Sequence, residues 1–190
     1  MASQTSYRDW LKQDMGALLD ALDLTDLERH FMRSRWLDQV LWNEARSDSA
    51  RDWYYRLRVT AIIGGVIIPA LVSLNVGQDF TETLRWITFG ISLLVAIATT
   101  VEGFFRFGER WRHYRRSAEW LKIEGWHFFQ LSGPYRRHKN HAEAYRAFAV
   151  RIEEVIQHDV DLFISQVAEE KEKKEEKEKG ETNRQGDQKL

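Results

Sequence analysis

The feature that most constrains the fold is an uncharged stretch between Arg58 and Asp79, within RVTAIIGGVIIPALVSLNVGQDF. Its roughly twenty residues match what a helix needs to cross about 30 Å of hydrocarbon at 1.5 Å per residue. A second apolar run, WITFGISLLVAIATTV, follows after a short gap. The alternative is a pair of buried helices in a soluble α-bundle. Such helices usually show a polar face, and neither run has a charged face. We therefore predict two membrane-spanning helices, at residues 57–78 and 85–104.

The charges that flank the two runs predict their orientation. Arginines precede the first run and follow the second: Arg51, Arg56, Arg58, Arg106, Arg110, Arg112, Arg115 and Arg116. The segment between the runs carries Asp79 and Glu82 against the single Arg85. By the positive-inside rule, both termini lie in the cytoplasm and residues 79–84 form a short outer loop. Aromatic residues mark the same boundaries, as is usual at membrane interfaces: Trp53, Tyr54, Tyr55, Trp86, Phe104, Phe105, Phe107 and Trp111.

The overall composition fits a multi-pass protein of the cell inner membrane. The mean hydropathy is -0.52 and 30% of the residues are charged, because the polar segments outside the two runs dominate the average. The net charge of -1 gives no argument for nucleic-acid binding, and the absence of cysteine excludes disulfides and thiolate metal sites. The N-terminal MASQTSYRDWLKQD has no apolar stretch, so we expect the first span itself to direct insertion.

The remaining segments read as cytoplasmic helices, which makes the predicted fold class all-α with a long-helix, coiled-coil-like bundle. An amphipathic segment at 1–24 rests on that bundle or on the membrane surface. A cytoplasmic helix at 25–56 begins with Thr25 and Glu28 at capping-box spacing. With no Gly or Pro before Gly64, this helix either runs on into the first span or is interrupted at the polar EARSDSARD segment. The second span extends through 105–131, about 70 Å in all if the helix is unbroken, to a stop at Ser132-Gly133-Pro134.

The C-terminal part is predicted as a turn at 132–139, an amphipathic helix at 140–168 and a charged, largely disordered tail at 169–190. The amphipathic helix carries an apolar stripe from Tyr145 to Val167 that includes Phe148 and Ile152. Because this stripe is too wide to leave in water, we expect it to pack against the 25–56 helix of its own or a neighbouring subunit.

The order of these features resembles a known group of bacterial membrane proteins. The features are, in order, the segment WLDQVLWNEA, a first span with a central proline and a second span. The sequence RFGERWRHYRRSAEWLKIEGWHFFQLSGPY follows the second span and contains an R-x-x-x-E-W-L-K-x-E core at Arg115–Glu124. Over residues 31–167 the chain is similar to two-transmembrane proteins related to SLATT domains, the effector modules associated with SMODS nucleotidyltransferases and SLOG sensors. The resemblance implies a pore-forming membrane effector in nucleotide-signalled defence. The chain departs from that pattern because it carries no fused sensor or nucleotidyltransferase.

A polar stripe on the second span suggests a conduit. Thr88, Ser92, Thr99 and Glu102 fall within about 80° of one another at 100° per residue. In a ring of subunits, the Glu102 carboxylates would form an acidic mouth that favours cations. The alternative is helix packing through small residues, with Glu102 paired to Arg106 one turn later. Two spans cannot enclose a pore, so transport requires a homo-oligomer.

Small residues on both spans are assigned to helix packing: Ala61, Gly64, Gly65, Pro69 and Ala96, the last within the Ser92, Ala96, Thr100 repeat. Pro69 is tolerated in a membrane helix because neighbouring groups satisfy the carbonyl that it leaves unbonded.

No enzyme motif emerges from the sequence. His138 and His141 have a spacing that suits a metal ion, but they lie on a polar turn without a further ligand nearby. His113, His127 and the pair Glu119 and Glu124 sit in a helix among aromatics, where packing or salt bridges to Arg115, Arg116 or Lys122 account for them. We predict no catalytic residue, cofactor or metal site.

The predicted function is an oligomeric, cation-conducting channel or pore-type effector, with a cytoplasmic helical bundle for assembly or gating. Its partners are the lipid bilayer, further copies of itself and inorganic cations, with no nucleic acid. The alternative is a membrane-anchored scaffold that recruits cytoplasmic partners without transport.

Overall fold

The structure is a computed structural model that describes residues 7–73 and 78–161. Six α-helices account for most of these residues: α1 Tyr7–Asp20, α2 Asp26–Phe31, α3 Asp38–Ser73, α4 Gln78–Phe105, α5 Phe107–Phe129 and α6, which is helical through residues 141–161. A π-helical segment, Met32–Leu37, joins α2 to α3, and a 3₁₀ turn, Gly133–Tyr135, follows α5. The predicted all-α class is confirmed, since these ranges contain no strand. The predicted tail at 169–190 and the end of the C-terminal helix lie outside the described residues.

One continuous helix runs through Asp26–Ser73, which is one of the two alternatives considered from the sequence. It begins with the predicted capping box, in which the Glu28 carboxylate accepts from the Thr25 backbone N–H at 2.8 Å. The Thr25 hydroxyl in turn accepts from the Glu28 N–H at 3.4 Å. The polar EARSDSARD segment does not interrupt the helix, because Glu44, Ser47 and Ala50 are buried along one face of α3.

The second long helix is broken, unlike the single helix considered for 84–131. Arg106 adopts a left-handed backbone with φ of 50° between α4 and α5. Its N–H donates to the Glu102 carbonyl at 2.8 Å, which completes the last turn of α4. Its own carbonyl accepts from the Glu109 and Arg110 N–H groups at 3.0 and 3.1 Å, which starts α5. Gly103 and Gly108 on either side weaken the local preference for an uninterrupted helix.

Residues 79–84, predicted as an outer loop, lie instead in the first turns of α4, which begins at Gln78. The sequence offers no Gly or Pro between Gln78 and Gly90 to delay the helix. The helix dipole favours acidic residues near a helix N-terminus, and Glu82 lies in the first turns of α4. The charge pattern that suggested an exposed loop also suits a helix start.

The chain divides into two compact units, of which the first comprises residues 1–20 and 31–119. Its core outside the apolar helices is made by α1, the π-helical segment and the start of α3, and the large side chains in it are Leu11, Met15, Leu19, Met32, Trp36, Leu37 and Val40. The amphipathic helix α1 contacts the π-helical segment and α3. Of the two placements considered for α1, the structure shows the one on the bundle.

The second unit comprises residues 21–30 and 120–190. In its described part, α5 and α6 bury an aromatic core in which the Phe128 ring lies 4.5 Å from Phe148 and 5.6 Å from Tyr135, centroid to centroid. Ile152 is also fully buried. The apolar stripe predicted for the C-terminal helix is therefore buried at Phe148 and Ile152, and the ring partners of Phe148 are Phe128 and Tyr135.

The helices α3 and α4 pack side by side at Gly64. This glycine is buried, and a Cβ built on it would lie 2.1 Å from the Val95 Cγ2 atom, whereas one on the adjacent Gly65 would meet nothing within 4 Å. A valine in a helix has one strongly preferred rotamer, so Val95 cannot turn aside easily.

The pair Gly64 and Gly65 gives a matched test of this packing. Gly64→Ala should reduce the free energy of unfolding by about 1–3 kcal/mol through overpacking. Gly65→Ala should leave it unchanged or raise it by up to about 1 kcal/mol through helix propensity. Thermal melting of the detergent-solubilised variants measures both, and equal melting temperatures would contradict the α3–α4 contact at Gly64.

Candidate functional site

The helices α3 and α4 expose their apolar side chains. The large apolar residues with at least a third of their surface exposed include Ile62, Ile63, Val66, Ile67, Val72, Trp86, Ile87, Phe89, Leu93, Leu94 and Ile97. Both helices are long and apolar enough to cross a membrane, and only 6% of each apolar window is buried inside the protein. A core helix of a soluble protein would be mostly covered. Contiguous apolar faces of this size need lipid or further protein around them.

The polar stripe of α4 has its hydroxyl protons engaged by its own backbone. The Thr88 hydroxyl donates to the Leu84 carbonyl at 2.8 Å, and the Ser92 hydroxyl donates to the Thr88 carbonyl at 2.8 Å. Thr99 donates to the carbonyls of Val95 and Ala96 at 2.9 and 3.0 Å. A hydroxyl has one proton and two lone pairs, so each of these oxygens remains an acceptor.

The stripe is only partly covered within the single chain. Thr88, Ser92 and Glu102 are half-buried, and Thr99 is exposed. Of the residues assigned to helix packing, Gly64 is buried and Ala61 is half-buried, whereas the other three are exposed in the single chain: Gly65, Pro69 and Ala96.

The Glu102 carboxylate makes no hydrogen bond or ion pair with the residues that the structure describes. The pairing with Arg106 considered from the sequence gives way to an ion pair between Arg106 and Glu109, at 2.8 Å from Nη2 to Oε2. The break in the helix explains the change, because the left-handed backbone of Arg106 redirects its side chain toward the first turn of α5. Glu102 is thus an uncompensated carboxylate at the end of the apolar helix.

Beyond the apolar helices, one buried ion pair joins α3 to α5. The Arg115 Nη1 atom lies 3.2 Å from Oε2 of Glu44, whose side chain is 2% exposed, and Arg115 Nη2 lies 2.7 Å from Glu119. The predicted salt bridge of Glu119 to Arg115 is therefore confirmed. The Glu44 partner was not predicted, since it lies 71 residues away along the chain.

The family comparison covers this whole region. A family model described as "Protein of unknown function (DUF4231)" matches residues 38–143, more than half of the chain. The chain belongs to the DUF4231 family. Proteins of this family often contain two transmembrane segments. No curated protein and no solved structure matches the chain. The DUF4231 match begins at the first residue of α3 and includes both apolar helices, α5 and the 3₁₀ turn.

A second buried cluster joins the end of the DUF4231 region to α6. The Glu124 carboxylate, which is almost fully buried, accepts hydrogen bonds from the Tyr135 hydroxyl and from Arg151, whose Nη2 lies 3.2 Å from Oε2. The sequence suggested Arg115, Arg116 or Lys122 as the partner of Glu124, and this is corrected. Tyr135 and Arg151 are 11 and 27 residues away along the chain, and they meet Glu124 beside the contact of Phe128 with Phe148.

The cluster shifts the pKa values of its members in the directions that a stable charged pair requires. Burial by itself would raise the pKa of Glu124, but hydrogen bonds from Arg151 and Tyr135 and the charge of Arg151 lower it below its ordinary value. Burial and the bond to Glu124 raise the pKa of Tyr135. The hydrogen bond to Glu124 raises the pKa of Arg151. This arrangement stabilises the fold, because the Glu124 carboxylate is held ionised and its oxygen atoms accept hydrogen bonds.

The two histidines of the polar turn, His138 and His141, differ in their surroundings. The His141 Nε2 atom lies 3.1 Å from the Phe129 carbonyl, and its ring stands edge-on to Phe128 at 5.4 Å. His138 is half-buried. Within residues 7–73 and 78–161, no three His, Asp or Glu side chains are grouped so that they could hold a metal ion.

The Glu124 cluster predicts a pH-dependent stability. At pH 7, Glu124→Gln should lower the free energy of unfolding by about 1–3 kcal/mol, since the charged acceptor is lost. Because the pKa of Glu124 is lower in the folded protein than its ordinary value of 4.5, its contribution is present above that value and lost as the pH falls through the folded pKa.

Melting curves of the wild type and Glu124→Gln should therefore converge as the pH falls from neutral to about 3. Glu154→Gln, an exposed carboxylate on α6, is the control and should change stability little at any pH. A wild-type advantage that persists undiminished in acid would contradict the assignment.

Proposed function

We propose that this DUF4231 protein is a two-span integral protein of the inner membrane whose copies assemble into a cation-conducting channel. Both termini lie in the cytoplasm, and the helical units outside the membrane serve assembly or gating. The observation that carries the proposal is the uncompensated Glu102 carboxylate at the end of an apolar helix whose polar edge presents free oxygen lone pairs.

Membrane insertion is supported by exposure rather than by hydropathy alone. Val66, Val72 and Trp86 expose 64–71% of their surface, and the apolar faces of α3 and α4 continue in the same manner over their length. A protein in water would gain by burying these side chains against one another or elsewhere in the chain. Lipid tails satisfy them without any change of fold.

Assembly is supported by small residues of α3 and α4 that are exposed in the single chain. A Cβ on Gly65, Gly90 or Gly103 would meet nothing within 4 Å, and Ala96 is exposed beside the polar stripe. In membranes, small residues let helices approach closely and so favour association. A second copy of the chain can use these positions, and a ring of copies provides the enclosure that two spans lack.

Cation preference follows from the chemistry of the stripe. The oxygens of Thr88, Ser92 and Thr99 donate their protons to the backbone and can only accept further bonds, which suits a cation and not an anion. Several Glu102 carboxylates at one mouth would attract cations in the same way. We also propose that the chain is an effector of the SLATT-related type, a proposal supported by the order of sequence features and by the two-span architecture.

A membrane-anchored scaffold is the second candidate, and one observation favours it. On α5 the side chains of Trp120, Ile123 and Trp126 are 41–50% exposed and lie at helical spacing on one face. A cytoplasmic partner with an apolar groove can cover such a face. In that case α3 and α4 act as a membrane anchor. The hydrogen bonds of the polar stripe then serve only to give its hydroxyl groups an acceptor.

Topology is tested with reporter fusions. A reporter after Leu190 and one after Ala2 should both report the cytoplasm, and a reporter inserted at Gly77 should report the outside, because the flanking arginines lie at the inner ends. Opposite locations for the two termini would contradict a two-span protein.

Conduction is tested by ion flux into liposomes that contain the purified protein. The wild type should pass monovalent cations better than anions, Glu102→Gln should weaken the preference several-fold, and Glu102→Lys should reverse or block it. Glu154→Gln is the matched control and should leave the preference unchanged. The assay is repeated across pH, calcium and candidate nucleotides, so that a closed channel can open.

The scaffold predicts no flux above that of empty liposomes under any of these conditions. Flux that is indifferent to every change at Thr88, Ser92, Thr99 and Glu102 would assign the conduit to another helix face.

A further inference from the structure

Four exposed arginines stand without a counter-charge where the apolar helices meet the polar part of the first unit. Among the residues that the structure describes, none hydrogen-bonds or ion-pairs with the side chains of Arg56 and Arg58 on α3 or of Arg110 and Arg112 on α5. Their neighbours differ, since Arg51 pairs with Asp48 and Asp52. The positive charge of these four side chains is therefore available to a partner.

An aromatic contact joins the two helix segments that carry these arginines. The Tyr54 ring of α3 stacks on Trp111 of α5 with 6.3 Å between centroids, and Tyr55 lies 6.0 Å from the same indole. Gly108 permits the approach, because a Cβ there would lie 2.9 Å from Tyr54 Cε2. Each of the four arginines lies within four residues of Tyr54 or Trp111 in the sequence.

The four arginines adjoin the apolar surface of α3 and α4. The exposed Val59 follows Arg58 directly on α3, and the exposed Ile62 lies about one turn further on. The exposed Phe104 and Phe105 end α4 just before the break at Arg106. A ligand that fits this region must therefore offer negative charge beside hydrocarbon.

We infer that the arginine–aromatic belt, formed by Tyr54, Tyr55, Trp111, Arg56, Arg58, Arg110 and Arg112, binds the phosphate headgroups of anionic phospholipids. A guanidinium presents a planar fork of donors that matches two phosphate oxygens, and Tyr and Trp rings favour the headgroup layer. This inference rests on the proposed function in one respect, namely that α3 and α4 cross the bilayer.

Lipid accounts for the belt better than a soluble anion does. Free phosphate would use the arginines alone and would leave Val59, Ile62, Phe104 and Phe105 in water. A phospholipid places its acyl chains along the apolar faces while its phosphate meets the guanidinium groups. The chain as a whole has a net charge of -1, so a general attraction to anions does not explain a local preference.

The test uses the full chain purified in neutral detergent. Melting temperature and retained lipid, counted by native mass spectrometry, are measured with added phosphatidylglycerol, phosphatidylcholine or inorganic phosphate. Phosphatidylglycerol should raise the melting temperature and stay bound, and the other two should not. The quadruple variant R56Q/R58Q/R110Q/R112Q should lose about half or more of both effects.

Two further variants keep the outcome decisive. A quadruple Arg→Lys variant at the same positions keeps the charge and loses the fork, so it should bind phosphatidylglycerol more weakly than the wild type but better than the Gln variant. The control R136Q/R137Q/K139Q/R146Q removes four exposed cations elsewhere and should behave as the wild type.

Equal stabilisation by inorganic phosphate would overturn the inference in favour of a simple anion site, and an equal loss in the control variant would overturn its location. Alkaline extraction of membranes separates this failure from that of the proposed function. A protein that stays in the pellet but shows no lipid preference refutes the belt alone, whereas a protein released to the supernatant refutes the two spans.

Discussion

The need to cover the apolar faces of α3 and α4 from water is the constraint on which the rest of the structure depends. The two helices contact each other closely at Gly64 and leave most of their remaining surface uncovered. An isolated helix in hydrocarbon must satisfy every backbone group within itself. The hydroxyls of α4 are satisfied in the same way, since each donates to a carbonyl one turn earlier: Thr88, Ser92, Thr99 and Thr100. Polar side chains are thereby carried on an apolar helix without unsatisfied donors.

The parts outside the apolar helices are stabilised by a different kind of interaction. Each unit contains a buried carboxylate held by an arginine from a distant helix: Glu44 with Arg115 in the first and Glu124 with Arg151 in the second. A buried ion pair adds little stability over apolar packing, but the loss of one partner is costly. In both pairs the arginine is about half exposed and reaches water with part of its guanidinium, which lowers the desolvation cost. Each pair marks a point at which two helices meet.

Local features were predictable from the sequence, and long-range ones were not. The capping box at Thr25 and Glu28, the stop at Ser132-Gly133-Pro134 and the continuous helix from α2 through the first apolar run all depend on residues close together in the chain. The break at Arg106 was missed because arginine is a good helix former and seldom adopts a positive φ. The partners of Glu44 and Glu124 were missed because they lie 71 and 27 residues away and depend on how the helices pack.

The break at Arg106 makes the two apolar helices mechanically unequal. The helix α3 is one rod from the buried Glu44 to the apolar residues beyond Arg58, so a rotation or tilt of its polar half turns its apolar half by the same amount. The helices α4 and α5 are two rods joined at a single left-handed residue, where the regular helix is interrupted. Beyond this junction, α5 contacts α3 through the Tyr54–Trp111 stack and the Glu44–Arg115 ion pair, and α4 contacts α3 at Gly64. The first apolar helix is therefore continuous with the polar part of the first unit, whereas the second is separated from it by the break.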